Sequence, residues 1–226
     1  MCPKFRNLYR CVFVSGGTAL RPTDETDRPI LPQERLRDLL RSATSEIHER
    51  LHGHRGLAAV QAVTITRAAY TALLCRLYGF HCSFEAAAQI APDRSRWLEI
   101  DLAELGLNSE KLAAVPLCTA FPEMPCLNYW LGARYVVEGS ALGGRGLARQ
   151  LDGLLGRDVL AGRRFFSGNG TDTGAVWRSY LAELSVTPTN VAQTAAIIAG
   201  AKATFAIFEQ WLEGWDNKSD RPHSQS

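Results

Sequence analysis

Residues 127–155 read LNYWLGARYVVEGSALGGRGLARQLDGLL, and this stretch decides the fold. Both of its ends are strongly helical in pattern, but four glycines separate them: Gly139, Gly143, Gly144 and Gly146. A glycine inside a helix costs about 1 kcal/mol relative to alanine. The glycines are therefore expected to bend or break the helix unless something compensates for them.

Three interpretations of this glycine segment remain open from the residues alone. It is a loop between two helices, or a second helix approaches closely over Gly139 and Gly143, which lie four residues apart on one face. In the third interpretation a flat ligand lies against bare backbone, because glycine permits close approach. A dinucleotide-binding turn is not supported, since the pattern GxGxxG is absent and no strand precedes the glycines.

The rest of the chain also follows a helical period. Leu36, Leu40, Ala43, Ile47 and Leu51 recur at three and four residues and form one apolar face. Further helices are predicted at 66–88, at 95–105, from 108, from 127 and at 173–184. Because no run of alternating strands and no internal repeat occurs, the sequence predicts an all-α fold in a single domain.

The last predicted helix starts at Thr187-Pro188, where a capping residue is followed by proline in the first turn. Its predicted core face consists of seven apolar residues: Val191, Ala195, Ile198, Ala201, Phe205, Phe208 and Leu212.

The composition excludes several classes of protein. Of the 226 residues, 46% are hydrophobic and the formal net charge is +2, which argues for a packed core and against a nucleic-acid binder. No run of 18 apolar residues occurs, so no membrane-spanning helix is expected. None of the six cysteines forms a CxxC pair, which favours reduced thiols in a cytoplasmic protein and disfavours a zinc site.

The two ends differ from the rest of the chain. Residues 1–30 hold one short apolar run, Cys11 to Val14, which is too short for a secretory signal, followed by a polar stretch. We expect 1–30 to be a mobile extension, 31–216 to be the domain, and 217–226 to be a disordered tail.

The helix that carries His48 has a feature that packing alone does not explain. His48 falls at the edge of the apolar face, and Arg41 lies within about 20° of the same line and roughly 10 Å away along the axis. A neutral imidazole is a good ligand for iron, and arginine is a good partner for a carboxylate. The alternative is a boundary histidine bonded to water or a carbonyl, beside a solvated arginine.

Four motifs together resemble the heme oxygenase family, and specifically the bacterial branch found beside bacteriophytochromes. The resemblance covers Pro32 to Trp215, and its specificity comes from the order and separation of the motifs. They are LRSATSEIH at 40–48, YVVEGSALGG at 135–144, GNGTDTG at 168–174 followed by Trp177-Arg178, and AKATF at 201–205.

The resemblance implies an all-α fold in which heme b lies between a proximal and a distal helix. It also implies oxidative cleavage of heme to biliverdin, carbon monoxide and ferrous iron, with dioxygen and an external electron donor. By position, His48 is expected to bind the iron, and Arg41 and Arg178 to contact the heme propionates. The remaining expected site residues are Phe205 in the pocket wall and, on the distal helix, Gly139 and Gly143 with Ser140 and Gly144 beside them.

Further expectations follow from this resemblance. Two arginine contacts to the propionates predict cleavage at the α-meso carbon, giving biliverdin IXα. The electron donor is expected to be a ferredoxin or a reductase, and the biliverdin to serve a bacteriophytochrome or iron acquisition. Arg163-Arg164 before Phe165-Phe166 is interpreted as a solvated loop over core aromatics, with contact to a reductase as the alternative.

One departure from the family bears on the iron. Many members carry a glutamate one turn after the proximal histidine, whereas this chain has His52. Loss of that carboxylate is expected to alter the basicity of the ligand.

The rival function is a heme-binding or heme-carrying protein of the same fold without turnover. A third alternative is a helical scaffold that binds a partner and no cofactor.

Overall fold

The computed structural model describes residues 33–122, 124–156, 162–187 and 190–215. These residues form helices and no β-strand, which confirms the predicted all-α class. The extension predicted at 1–30 and the tail predicted at 217–226 lie outside the described residues. In chain order the helices are α1 (Gln33–His52), α2 (Arg55–Gln61), α3 (Arg67–Ala87), α4 (Asp93–Glu104), α5 (Ser109–Ala113), α6 (Leu127–Gln150), α7 (Asp152–Leu155), α8 (Arg164–Ser167), a 3-10 turn (Gly170–Asp172), α9 (Thr173–Val186) and α10 (Val191–Glu213).

Helix starts follow from capping side chains. Thr66 accepts a hydrogen bond from the Ala69 N–H at the start of α3, and Asn108 caps α5 in the same way. The predicted start of the last helix at Thr187-Pro188 is wrong. Asn190 and Gln193 form a capping box that starts α10 at Val191, whereas the Thr187 hydroxyl donates back to Glu183 in the last turn of α9.

The core is built around α10, which packs against both α6 and α1. At the crossing of α6 and α10, Gly132 faces the backbone of Ile197 and Gly200 faces the backbone of Tyr129, so neither position has room for a Cβ atom. These two glycines therefore let the helix backbones meet directly.

The predicted core face of α10 is correct only in its second half. Ala201, Phe205 and Leu212 are buried, but Val191 is 67% exposed. The other buried positions of α10 are small or polar residues that a hydrophobic pattern does not select, together with one isoleucine: Thr194, Ile197, Gly200 and Thr204. The close approach of α6 favours small residues here over large apolar ones.

Helix α10 is also long and apolar enough to cross a membrane, judged by length and composition alone. The sequence-based expectation of no spanning helix rested on the absence of an 18-residue apolar run, which is a stricter criterion. Helix α10 contributes Ile197, Ala201 and Leu212 to the core between other helices, and 33% of its apolar window is buried.

The far end of α6 is closed by a buried arginine. Arg163 is 3% exposed, and its guanidinium donates hydrogen bonds to the carbonyl oxygens of Ala148, Leu151 and Gly156. It also pairs with Asp152. The prediction that Arg163 lies in a solvated loop is therefore wrong, because its guanidinium is buried among carbonyl oxygens at the C-terminal ends of α6 and α7, where a cation is favoured.

Candidate functional site

Helix α6 runs without interruption from Leu127 to Gln150, through all four glycines of the segment 139–146. The loop interpretation is therefore wrong. Gly132, Gly139, Gly143 and Gly146 are spaced by seven, four and three residues, so they lie within about 60° of one another around the helix. We call this row of four the glycine stripe.

The glycine stripe is closed at one end and open at the other. At Gly132 the backbone of α10 fills the space that a side chain would need. At Gly139 an added Cβ would meet only the Trp177 ring, at 3.7 Å, and at Gly143 and Gly146 it would meet no described atom within 4 Å. The close helix contact considered for Gly139 and Gly143 is thus found at Gly132 instead.

Gly144 points to a different side of α6. It is buried, and a Cβ there would lie 3.2 Å from the carbonyl oxygen of Phe166. Packing against α8 explains this glycine, and its predicted contact with a ligand stays a prediction. Ser140 is exposed and donates a hydrogen bond of 2.8 Å to the carbonyl oxygen of Val137, which leaves the lone pairs of its hydroxyl oxygen available to water.

His48 lies on α1 with an exposed side chain, and its ring touches two others. The His52 ring is 4.5 Å away between centroids at 75°, and the Phe205 ring of α10 is 6.1 Å away at 86°. Among the described residues His48 makes no hydrogen bond. Partial burial, followed by the neighbouring His52, lowers the pKa of His48, with Glu49 opposing, so the imidazole is neutral at neutral pH.

Tyr135 joins the helix of His48 to the helix of the glycine stripe. Its side chain lies close to that of Thr44 on α1, one turn before His48, while the Thr44 hydroxyl donates to the Leu40 carbonyl oxygen. Burial raises the pKa of Tyr135, while the cationic Arg37 and Arg41 oppose that shift because they lie close to the phenol. The Tyr135 ring is also 5.7 Å from that of Trp177, the residue over Gly139.

The sequence-predicted residues are only partly brought together by these contacts. Phe205 contacts His48 near the C-terminal end of α1. Arg41 lies about two turns earlier, near Tyr135, whose ring contacts that of Trp177 over Gly139. Arg178 lies on α9 beside Gly174, exposed and next in sequence to Trp177. Its predicted role at a propionate stays a prediction.

Sequence reasoning missed Arg37 and undervalued Tyr135. Arg37 is four residues before Arg41, so both lie on one side of α1, and this spacing was available as a signal. Tyr135 entered the sequence analysis only as the first residue of the motif at 135–144. Its contact with Thr44 depends on how α1 and α6 cross, which no local pattern reveals.

Comparison with known proteins agrees with this arrangement. The family model described as heme oxygenase matches residues 34–214. The chain therefore belongs to the heme oxygenase family, a family of enzymes that degrade heme. No curated protein matches the sequence.

Two solved structures share the fold. The heme oxygenase from Leptospira interrogans matches with a TM-score of 0.63 and 18% identity, over 78% of this chain and 98% of the other. The heme oxygenase-1 of the cyanobacterium Synechocystis, solved in complex with heme, matches with a TM-score of 0.55 and 19% identity, over 79% of this chain and 90% of the other. At these identities the likeness establishes the fold.

The side chains of the predicted site are of the kinds that can hold a heme. His48 supplies a neutral imidazole without a hydrogen-bonding partner among the described residues, which suits an iron ligand. The Phe205 ring adds an apolar wall, and Arg37 and Arg41 supply cations of the kind that carboxylates prefer. Bare backbone at Gly139 and Gly143 leaves room for a flat ring system.

Proposed function

We propose that this chain cleaves heme b to biliverdin IXα, carbon monoxide and ferrous iron, using dioxygen and electrons from a ferredoxin or a reductase. The observation that carries the proposal is the glycine stripe, which α10 closes at Gly132 but leaves open at Gly143. The open end lies on the helix that Tyr135 joins to the helix of His48. A cytoplasmic location is part of the same proposal.

His48 is the proposed iron ligand. Its ring is already oriented from two sides by His52 and Phe205, so little side-chain freedom is lost when it binds iron. Once bound, heme supplies the iron centre at which dioxygen is activated. His52 occupies the place where relatives have a carboxylate, but its ring contact supplies no hydrogen bond and it lowers the pKa of His48, so the ligand is proposed to be less basic here.

The distal side is proposed to consist of backbone in place of side chains. Gly139 and Gly143 would let the α6 backbone lie against a bound porphyrin and limit which of its edges is accessible. Water held near the Ser140 hydroxyl is proposed to deliver protons, because this part of α6 carries no strong acid of its own at positions 139–146. A heme carrier has no need of such crowding.

The rotation of heme within its plane is proposed to depend on cations. Arg41 and Arg37 lie near Tyr135 on one side, and Arg178 follows Trp177 on α9. A propionate prefers a bidentate guanidinium, so each such contact favours one rotational position over the others. Which meso carbon faces the open backbone then follows from these contacts.

The test is to reconstitute the protein with hemin, add ascorbate or a ferredoxin system in air, and follow the Soret band and the product isomer. We expect the Soret band to decay and a single IXα isomer to form. Arg41→Ala combined with Arg178→Ala should give mixed isomers with the rate reduced less than about tenfold. Arg96→Ala, an exposed arginine of α4, is the matched control.

Two outcomes contradict the proposal in different ways. A Soret band that persists under air and reductant makes the protein a heme carrier instead of an enzyme. A wild-type product that separates with the β or δ isomers refutes the proposed seating of heme, as does a single isomer from the double variant.

A further inference from the structure

The backbone of the glycine segment 139–146 lacks the side chains that hold other parts of α6 in place. Within it, only Gly144 is buried, against Phe166, whereas Gly143 and Gly146 meet no described atom on their open side. Glycine also allows more backbone conformations than any other residue. Apart from the packing of Gly144 against Phe166, the position of the open end therefore depends on contacts at the ends of the segment.

Glu138, immediately before the segment, makes such a contact. Its carboxylate accepts a hydrogen bond of 2.9 Å from the guanidinium of Arg94 on α4, and the two side chains are only 17% and 11% exposed. Arg134, one turn earlier on α6, approaches the other carboxylate oxygen at 3.6 Å. An ion pair shielded to this degree is screened by salt much less than a surface pair.

Arg94 is itself held in place from a third helix. The buried Glu85 of α3 accepts hydrogen bonds from the N–H groups of Arg94 and Ser95, at 2.7 and 3.3 Å, and from the Ser95 hydroxyl. The first turn of α4 is thereby tied to α3, and the Arg94 side chain extends from this fixed turn to α6. The contact thus connects the glycine segment to the rigid core, since Glu85 lies on the same helix as the buried Phe84.

The opposite end of the segment is held by a second guanidinium. Arg163 donates to the carbonyl oxygens of Ala148 and Leu151, just beyond Gly146. One face of the segment is therefore bare while both of its ends are attached, one through Glu138 and the other through Arg163. Of the two, the Glu138 contact is the one adjacent to Gly139.

We propose that Glu138, through its ion pair with Arg94, is a positioning residue that sets where the open backbone of the glycine segment lies relative to heme. Its consequence for the reaction rests on the proposed function, but its effect on the backbone does not. Glu138 touches neither heme nor dioxygen in this proposal and acts only through the helix that it anchors. The Arg134 contact is weaker because it is longer and more exposed.

The experiment compares Glu138→Gln and Arg94→Lys with wild type by amide hydrogen exchange in the full chain without heme. Both variants should exchange about tenfold faster at residues 139–147 than wild type, with other helices unchanged. Glu183→Gln is the matched control, because Glu183 is 48% exposed and pairs with Arg134 on the same helix without contacting Glu138. The control should leave exchange at 139–147 unchanged.

A second readout follows the reconstituted protein. With hemin and reductant, Glu138→Gln should yield mixed biliverdin isomers, whereas Glu183→Gln should yield the wild-type isomer. Exchanging the charges in the double variant Arg94→Glu with Glu138→Arg should restore the single isomer and slow the exchange again. A purely structural role would change stability without changing the isomer ratio.

The proposal is overturned if exchange at 139–147 in Glu138→Gln equals that of wild type, if Glu183→Gln has the same effect, or if the faster exchange is spread evenly over all helices. If the wild-type protein leaves heme intact but amide exchange at 139–147 is still faster in Glu138→Gln, the proposed reaction is refuted. The role of Glu138 in positioning the backbone is then still supported. The two failures are therefore distinguishable.

Discussion

Gly132 and Gly143 lie eleven residues apart on the same face of α6, yet their surroundings are opposite. Gly132 is buried against the backbone of α10, where two helices cross, whereas Gly143 meets no described atom within 4 Å. Glycine therefore allows two helix backbones to pack closely at one end of the stripe, and leaves the helix backbone uncovered at the other end. At the crossing α10 runs antiparallel to α6, since Ile197 lies against Gly132 and Gly200 against Tyr129. The following turns of α10, which bring Phe205 to His48, therefore run toward the N-terminal end of α6 and away from Gly143.

The largest expected effect is at the closed end of the glycine stripe. In Gly132→Ala the new Cβ would overlap the carbonyl oxygen of Ile197 and lie 2.8 Å from the Ala201 nitrogen, so α6 and α10 must move apart. We expect the free energy of unfolding in urea to fall by about 3 kcal/mol or more. The matched control is Gly146→Ala, which lies on the same stripe and meets no described atom.

An unfolding free energy for Gly132→Ala within about 0.5 kcal/mol of wild type would remove the contrast between the two ends of the stripe.

The contact between Asp101 and α8, which packs against the glycine segment, is expected to contribute to stability in a pH-dependent way. Asp101 on α4 accepts hydrogen bonds from the N–H groups of Arg164 and Phe165, which holds α8 and so places Phe166 over Gly144. Burial raises the pKa of Asp101 to about 6, although these two N–H groups oppose the shift. Because the folded state then binds a proton more readily than the unfolded state, the contribution of Asp101 to stability falls as pH rises from about 4 to about 7.

The measurement is the difference in unfolding free energy between wild type and Asp101→Asn as a function of pH. That difference should change in favour of wild type by about 2–3 kcal/mol between pH 7 and pH 4. Taking the difference removes the other titrating groups, including the buried His81, whose pKa is lowered well below its ordinary value. A difference that does not depend on pH contradicts the assignment.

The smallest expected effect on stability is at the open end of the stripe, and it has the opposite sign. Gly143→Ala adds a side chain that meets no described atom and removes the entropic disadvantage of glycine in a helix. We expect the free energy of unfolding to rise by about 0.5–1 kcal/mol while heme turnover decreases. Destabilisation comparable to that of Gly132→Ala would show that the Gly143 face is also packed.

The sequence was sufficient to predict most of the helices and the motifs of the site. It was insufficient to predict the contacts that form where two helices cross. Periodicity located α1, α3 and α6, and His48 was selected by its place at the edge of an apolar face. It did not single out Gly132, because a glycine in a helical pattern looks the same whether a neighbour covers it or not. Arg163 was misplaced for a similar reason, since its partners are carbonyl oxygens that belong to the end of another helix.

Local signals also competed where the sequence prediction was wrong. Thr187-Pro188 has the form of a helix start, but Asn190 with Gln193 satisfies two backbone groups reciprocally and sets the start of α10 at Val191. Helix α2 was not predicted. Its capping residue His54 is half-buried, and a ring nitrogen of His54 contacts the carbonyl oxygen of Leu212, which is distant in sequence.

The most direct test of the central claim, that His48 binds iron opposite the bare backbone of α6, is an absorption titration of the purified protein with hemin. Wild type should bind one heme with the Soret and visible bands of histidine ligation, and His48→Ala should lose those bands and bind at least about 100-fold more weakly. His52→Ala, altered on the same helix one turn further on, should keep them. Unchanged spectra in His48→Ala, or no heme uptake by wild type, would contradict the account.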